Sequence, residues 1–221
     1  MVGRQDGEKG VKPERITFPC GELKLEGLYY GIDAKEPVPG VVVCHPHPLY
    51  GGSMHNNVTY AIADALVKSG IAALLFNFRG VGRSQGSYGG GITEQEDVSA
   101  ALDWLGSGKG VDEGRLGLAG YSFGAGVAFP VGCSDGRIKA IALVSPYFEN
   151  APIPLFKGCL KPKLILSGSA DDMVPAEDVE KYGHEAAEPK KCEIIIGPDH
   201  FWGGYERPMS EKVAGFFKET L

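Results

Sequence analysis

The chain has 221 residues, 43% hydrophobic and 23% charged, with 33 glycines and 15 prolines. That length suits one domain with a substantial core, and the apolar share excludes a disordered or collagen-like chain. The net charge of −6, with no basic stripe, argues against a nucleic-acid partner. No apolar run approaches the ~20 residues of a membrane span. Residues 1–10 are polar and lack the apolar segment of a secretory leader, so a cytoplasmic protein with no membrane partner is expected. They also read as a flexible tail, placed over residues 1–12, ahead of a domain over 13–221. The five cysteines are scattered without a CxxC pair, which predicts buried thiols at Cys44 and Cys192, a reducing compartment and no metal site.

In chain order, Arg15–Phe18 and Leu23–Tyr30 read as two strands, with 19–21 as the hairpin signal between them. Gly40–Cys44 is a short continuous apolar run, the mark of a strand covered on both faces. Over Asn57–Lys68 the apolar positions Val58, Ile62, Ala65 and Leu66 share one helical face. Ile71–Phe78 is a further buried strand. Thr93 to Glu96 has the form of a capping box opening a helix with the stripe Val98, Ala101, Leu102 and Leu105. Arg115–Gly120 is a strand, followed by a helix from Phe123 that Pro130 must kink or stop. Strands at Ile138–Val144, Lys163–Ser167 and Cys192–Ile196 alternate with helices at Ala176–Ala186 and Met209–Leu221. This alternation is that of an α/β fold: a mostly parallel sheet of about eight strands, an antiparallel N-terminal hairpin and helices on both faces. Ligands of such sheets bind at the carboxyl ends of the strands, here the loops after Cys44, Gly120, Ser167 and Ile196.

Those loops hold the unusual residues. Gly120-Tyr121-Ser122-Phe123-Gly124 is a G-x-S-x-G between a predicted strand and a predicted helix. A nucleophilic serine needs such a sharp turn, and the helix N-terminus behind it favours developing negative charge. The plainer reading is a glycine-rich turn with an incidental serine. A serine hydroxyl needs a base, and His200 in the loop after the last strand is placed to reach it. The base needs a carboxylate to hold its tautomer, which either Asp171 or Asp172 offers; the plainer role for each is a helix cap.

The order Ser122, Asp171, His200, together with His45-Pro46-His47-Pro48-Leu49-Tyr50-Gly51-Gly52, Phe76-Asn77-Phe78-Arg79-Gly80-Val81-Gly82-Arg83-Ser84 and Gly168-x-x-Asp171-x-x-Val174-Pro175, resembles the α/β-hydrolase superfamily. More narrowly it resembles the small, lidless dienelactone-hydrolase-like and serine-peptidase-like esterases. The resemblance runs from about Arg15 to the last helix and implies a single-domain α/β-hydrolase fold without a cap domain. It selects Asp171 as the acid beside Ser122 and His200. It implies an oxyanion hole from the backbone N–H groups of Phe123 and His47, although the His-Gly form usual in relatives is His45-Pro46 here and leaves Leu49 or Tyr50 as fallback donors. Arg79 and Gly80 are expected to tie a loop beside the nucleophile.

Only residues 145–162 separate the strand at Ile138–Val144 from the next, too few for a cap. An open site roofed by Tyr50, Tyr88, Tyr147, Phe148, Phe156 and Trp202 is expected, with Tyr50, Tyr147 and Trp202 as substrate contacts. His45, His47 and His55 are separated by prolines and a glycine turn and are not read as metal ligands. The expected activity is hydrolysis of small carboxylic esters through an acyl-enzyme, without a cofactor, acting on a small-molecule substrate, with a homodimer left open. Thioesters, lactones and short peptides use the same machinery. A non-catalytic ligand receptor on the same fold is the reading from a different class.

Overall fold

The computed structural model describes residues 12–108, 110–148 and 152–221; the expected tail, apart from Lys12, lies outside them. Eight strands form one sheet: β1 (Glu14–Cys20), β2 (Leu23–Tyr30), β3 (Val38–Cys44), β4 (Ala72–Phe76), β5 (Val111–Tyr121), β6 (Ile138–Val144), β7 (Lys163–Gly168) and β8 (Lys190–Ile195). Their spatial order is β1-β2-β4-β3-β5-β6-β7-β8. β1 pairs with β2, and β2 with β4, antiparallel; every later pairing is parallel. The expected α/β class and N-terminal hairpin are therefore present.

Among the described residues the sheet is sandwiched by six α-helices: α1 (Asn57–Lys68), α2 (Glu94–Gly106), α3 (Phe123–Ser134), α4 (Ile153–Gly158), α5 (Ala176–Glu185) and α6 (Glu206–Thr220). Successive side chains of a strand point to opposite faces, and β3 shows how the chain uses this. Val42 and Cys44 join the core under α2 and α3, while Val41 and Val43 join the core under α1 and α6. Both faces are covered, so the strand reads as one apolar run rather than an alternation. Burial of about 25 cal/mol per Å2 of apolar surface on both faces is what holds the parallel strands together.

Several boundaries differ from the expected ones. β1 continues through Pro19, which pairs with Lys24. An edge strand can lack one N–H donor, so proline is tolerated there. Asn77 N–H still bonds the Glu26 carbonyl of β2, but β4 ends at Phe76 because the residue after Asn77, Phe78, gives its N–H to the ring of His45. The capping box does not form: Thr93 is already helical (φ −73°, ψ −21°), and Glu96 reaches Arg79 instead. α3 runs through Pro130 to Ser134. Among the described residues α4 is the only helix between β6 and β7, and they form no cap domain. Cys44 is buried, but Cys192 is exposed, contrary to expectation, because β8 is an edge strand with a neighbour on one side only.

The loop after β4 is fastened to α2 by Arg79. Its Nε and one terminal nitrogen donate to Asp97 Oδ1 at 2.9 and 2.7 Å, and its backbone N–H donates to Asp97 Oδ2 at 2.9 Å. Asp97 is fully buried. Removing one member of a buried pair strands the other. Asp97→Ala is therefore expected to cost about 3–5 kcal/mol in urea unfolding. Glu211→Ala, which removes an exposed pair with Arg207, should leave the midpoint in place.

Candidate active site

β5 ends at Tyr121 and α3 begins at Phe123, so Ser122 alone makes the turn, with φ 54° and ψ −121°. A residue other than glycine holds such a conformation only where its surroundings dictate it. Here they do. A Cβ at Gly120 would lie 2.4 Å from the Gly124 carbonyl oxygen, and one at Gly124 would lie 2.4 Å from that of His45. The glycines flanking the serine thus let β5, α3 and the end of β3 meet at backbone distance. Ser122 N–H donates to the Val144 carbonyl at 2.9 Å, and the Ser122 carbonyl accepts from Ala125, Gly126 and Tyr147.

The loops after β7 and β8 bring their polar residues to this turn. His200 Nε2 lies 3.0 Å from Ser122 Oγ, and His200 Nδ1 lies 3.0 and 2.9 Å from the two oxygens of Asp171. A carboxylate only accepts, so the imidazole proton sits on Nδ1 and Nε2 faces the hydroxyl as an acceptor. Asp171 also accepts from the N–H groups of Met173 and Val174 at 3.1 and 2.8 Å. Burial alone would push the Asp171 carboxyl up; the hydrogen bonds from His200 and Val174, the His200 charge and the Ser145 hydroxyl outweigh it and hold it below its ordinary value. Tyr121 donates its hydroxyl to the His200 carbonyl at 2.7 Å and fixes that loop. Ser122, Asp171 and His200 are all buried, while Asp172 is exposed.

The loop after β3 lies alongside. Phe123 is the first residue of α3, and its N–H is among those a helix ladder leaves unpaired. The His47 ring packs 4.8 Å, centroid to centroid, from that of Phe123. His47 Nδ1 accepts from Leu49 N–H, which leaves Nε2 to donate to Tyr88 Oη at 3.2 Å. His45 is framework: Nε2 accepts from Phe78 N–H and Nδ1 donates to the Pro46 carbonyl. His55 is bonded to the Tyr60 hydroxyl. The three histidines therefore face different partners.

A cavity of about 290 Å3 opens beside Phe123, lined by His47, Tyr88, Val127, Tyr147 and Phe148 with Gly90, Gly91 and Gly126. Of the expected contacts, Tyr147 lines it. Tyr50 is 86% exposed and packs on the outer side of the His47 ring, 4.8 Å away. Trp202 is a correction: it is wholly buried, its Nε1 bonded to Ser145 Oγ, and presents no surface to a ligand. Phe156 likewise belongs to the core. Sequence reasoning missed the Gly90–Gly91 wall, whose signal was the Gly89-Gly90-Gly91 run. The buried carboxylate of Glu94 clamps it by accepting from the N–H groups of Gly89 and Gly91 at 2.7 and 2.8 Å.

A serine held at a strained strand-to-helix turn on the carboxyl rim of this capless sheet defines the class: α/β serine hydrolases without a lid. The comparisons agree. An α/β serine hydrolase homologue from Coxiella burnetii is 32% identical, with a TM-score of 0.84 over 92% of this chain and 97% of that one. A lidless serine hydrolase from Xanthomonas campestris superposes with a TM-score of 0.79 at 26% identity, covering 94% of each chain. An uncharacterized protein of Rickettsia prowazekii is 35% identical over 85% of this chain and 82% of its own length. Residues 32–191 match the S15 peptidase family, described as X-Pro dipeptidyl-peptidase, and the chain belongs to that family.

His45 gives the site a testable acid sensitivity. Burial pushes its pKa from 6.5 down to about 4, against a smaller upward effect of the Pro46 carbonyl. Above 6.5 both folded and unfolded imidazoles are neutral; as pH falls from 6.5 towards 4 only the unfolded chain gains the proton, so stability is lost. The loss attributable to this residue is on the order of 3 kcal/mol. Urea unfolding from pH 7 to 4 should show a shallower decline in His45→Gln than in the wild type.

Proposed function

We propose that the chain is a carboxylic ester hydrolase working through an acyl-enzyme. The observation that carries this reading is the continuous run of hydrogen bonds from Asp171 through His200 to Ser122 Oγ. Ser122 attacks the ester carbonyl while His200 Nε2 takes its proton. Asp171 keeps the Nδ1 tautomer and stabilises the imidazolium that forms. His200 then returns the proton to the leaving alcohol, and later takes one from the water that attacks the acyl carbonyl. The tetrahedral oxyanion lies between the Phe123 and His47 N–H groups, with the N-terminus of α3 behind it.

The cavity accommodates a compact, uncharged acyl group against the rings of Phe123, Tyr88 and Tyr147. The family description also raises a second reading, cleavage after an Xaa-Pro pair. A peptidase of that kind must hold a free amino terminus, for which the described residues lining the cavity offer no carboxylate.

A fluorophosphonate probe should label the wild type and not Ser122→Ala, and Ser122→Ala should lose p-nitrophenyl ester hydrolysis by about 10⁴-fold or more. Short acyl chains should outrun long ones in a panel that includes a thioester, a lactone and an Xaa-Pro anilide; faster turnover of the anilide would favour the peptidase. The oxyanion assignment has its own test. His47 has φ −56°, which proline also adopts. His47→Pro removes the N–H and is expected to lower kcat about 10²- to 10³-fold, whereas His47→Ala, which keeps the N–H, should fall far less.

A further inference from the structure

Among the described residues, positive φ outside glycine occurs at Ser122 (54°), Ser145 (41°) and Trp202 (61°). For bulky tryptophan this is a marked departure, so something must hold it. Ser145 follows β6, and Trp202 lies two residues beyond His200. Both are fully buried.

Their side chains form part of a chain of hydrogen bonds that ends on the acid. Trp202 Nε1 donates to Ser145 Oγ at 3.1 Å, Ser145 Oγ lies 3.4 Å from Ser167 Oγ, and Ser167 Oγ lies 3.4 Å from Asp171 Oδ2. Chemistry fixes its direction. An indole N–H only donates, a carboxylate only accepts, and each hydroxyl has one proton to give. Ser145, occupied as acceptor by Trp202, therefore turns its own proton towards the acid, through Ser167 or directly. Two links are long, so the chain acts by orientation and by aligned dipoles more than by the strength of any one bond.

We propose that Ser145, locked by Trp202, is a positioning residue: it shares the negative charge of Asp171 and thereby tunes the proton affinity of His200. The inference rests on the acid and base roles assigned above. Among the described residues, titratable groups around the pair include Asp199 on the His200 loop, Asp172 next in sequence to the acid and Tyr121 from β5. The substitutions below leave all of them in place.

The test is an NMR titration of the His200 ring in the full chain, with histidine labelled with 13C and 15N. Ser145→Gly removes the hydroxyl while accepting the positive φ without strain. Trp202→Phe removes the indole donor and retains a ring, and carries the same test if Ser145→Gly fails to fold. Loss of a donor concentrates charge on Asp171 and favours the imidazolium, so the midpoint should rise by about 0.5 to 1 pH unit in Ser145→Gly and by less in Trp202→Phe. The double variant should move no further than Ser145→Gly alone, because both act through one chain. The acid limb of kcat/KM should follow the ring, with KM at neutral pH unchanged. An unchanged or lowered midpoint in the folded variants overturns the proposal, as does additivity in the double variant. The ring titration needs no turnover, so a wild type that hydrolyses nothing would sink the ester reading and still decide this one.

Discussion

The whole site depends on how closely three backbones approach one another. β5, the first turn of α3 and the end of β3 meet where a Cβ on Gly120 or Gly124 would lie 2.4 Å from a carbonyl oxygen. Contact that close is what forces Ser122 into its strained turn and lifts its hydroxyl off the sheet. It also brings the His45–His47 segment beside the N-terminus of α3. A larger residue at either glycine would push these segments apart, and the Ser122 hydroxyl, the N-terminus of α3 and the cavity wall would lose their common origin.

Around that turn the polar groups are held by partners that leave them little choice. Among the described residues no buried side-chain nitrogen or oxygen lacks a hydrogen bond. Asp97 holds Arg79, Glu94 holds the Gly89–Gly91 wall, and Asp171 holds His200. Each carboxylate is buried and each fixes a loop rather than a helix or strand. Buried charge of this kind is poor value for stability but strict about geometry. That suits loops at a strand rim, which have few apolar contacts of their own.

Much of this was legible in the sequence. The apolar runs gave the strands, and the positions of Ser122, Asp171 and His200 just after the carboxyl ends of β5, β7 and β8 foretold their convergence. What was not legible depends on partners distant along the chain. Phe78 looks like a strand residue, yet the ring of His45 takes its N–H and draws it out of β4. Thr93 and Glu96 carry the spacing of a capping box, yet Arg79 claims the glutamate. Trp202 sits two residues from His200 and reads as a substrate wall, but its indole finds Ser145, a serine with no local pattern to mark it. Nothing nearby in the sequence tells an aromatic in a loop whether it will face solvent or be swallowed.

The short passage from β6 to β7, with α4 as the only helix among its described residues, sets how molecules come and go. With no cap to swing aside, entry and departure involve no large closure of one part of the chain over another. The traffic limit becomes the width of a standing doorway, whose jambs are Tyr88 and Tyr147. A substrate is admitted or refused by its shape on arrival, and water finds the same doorway open.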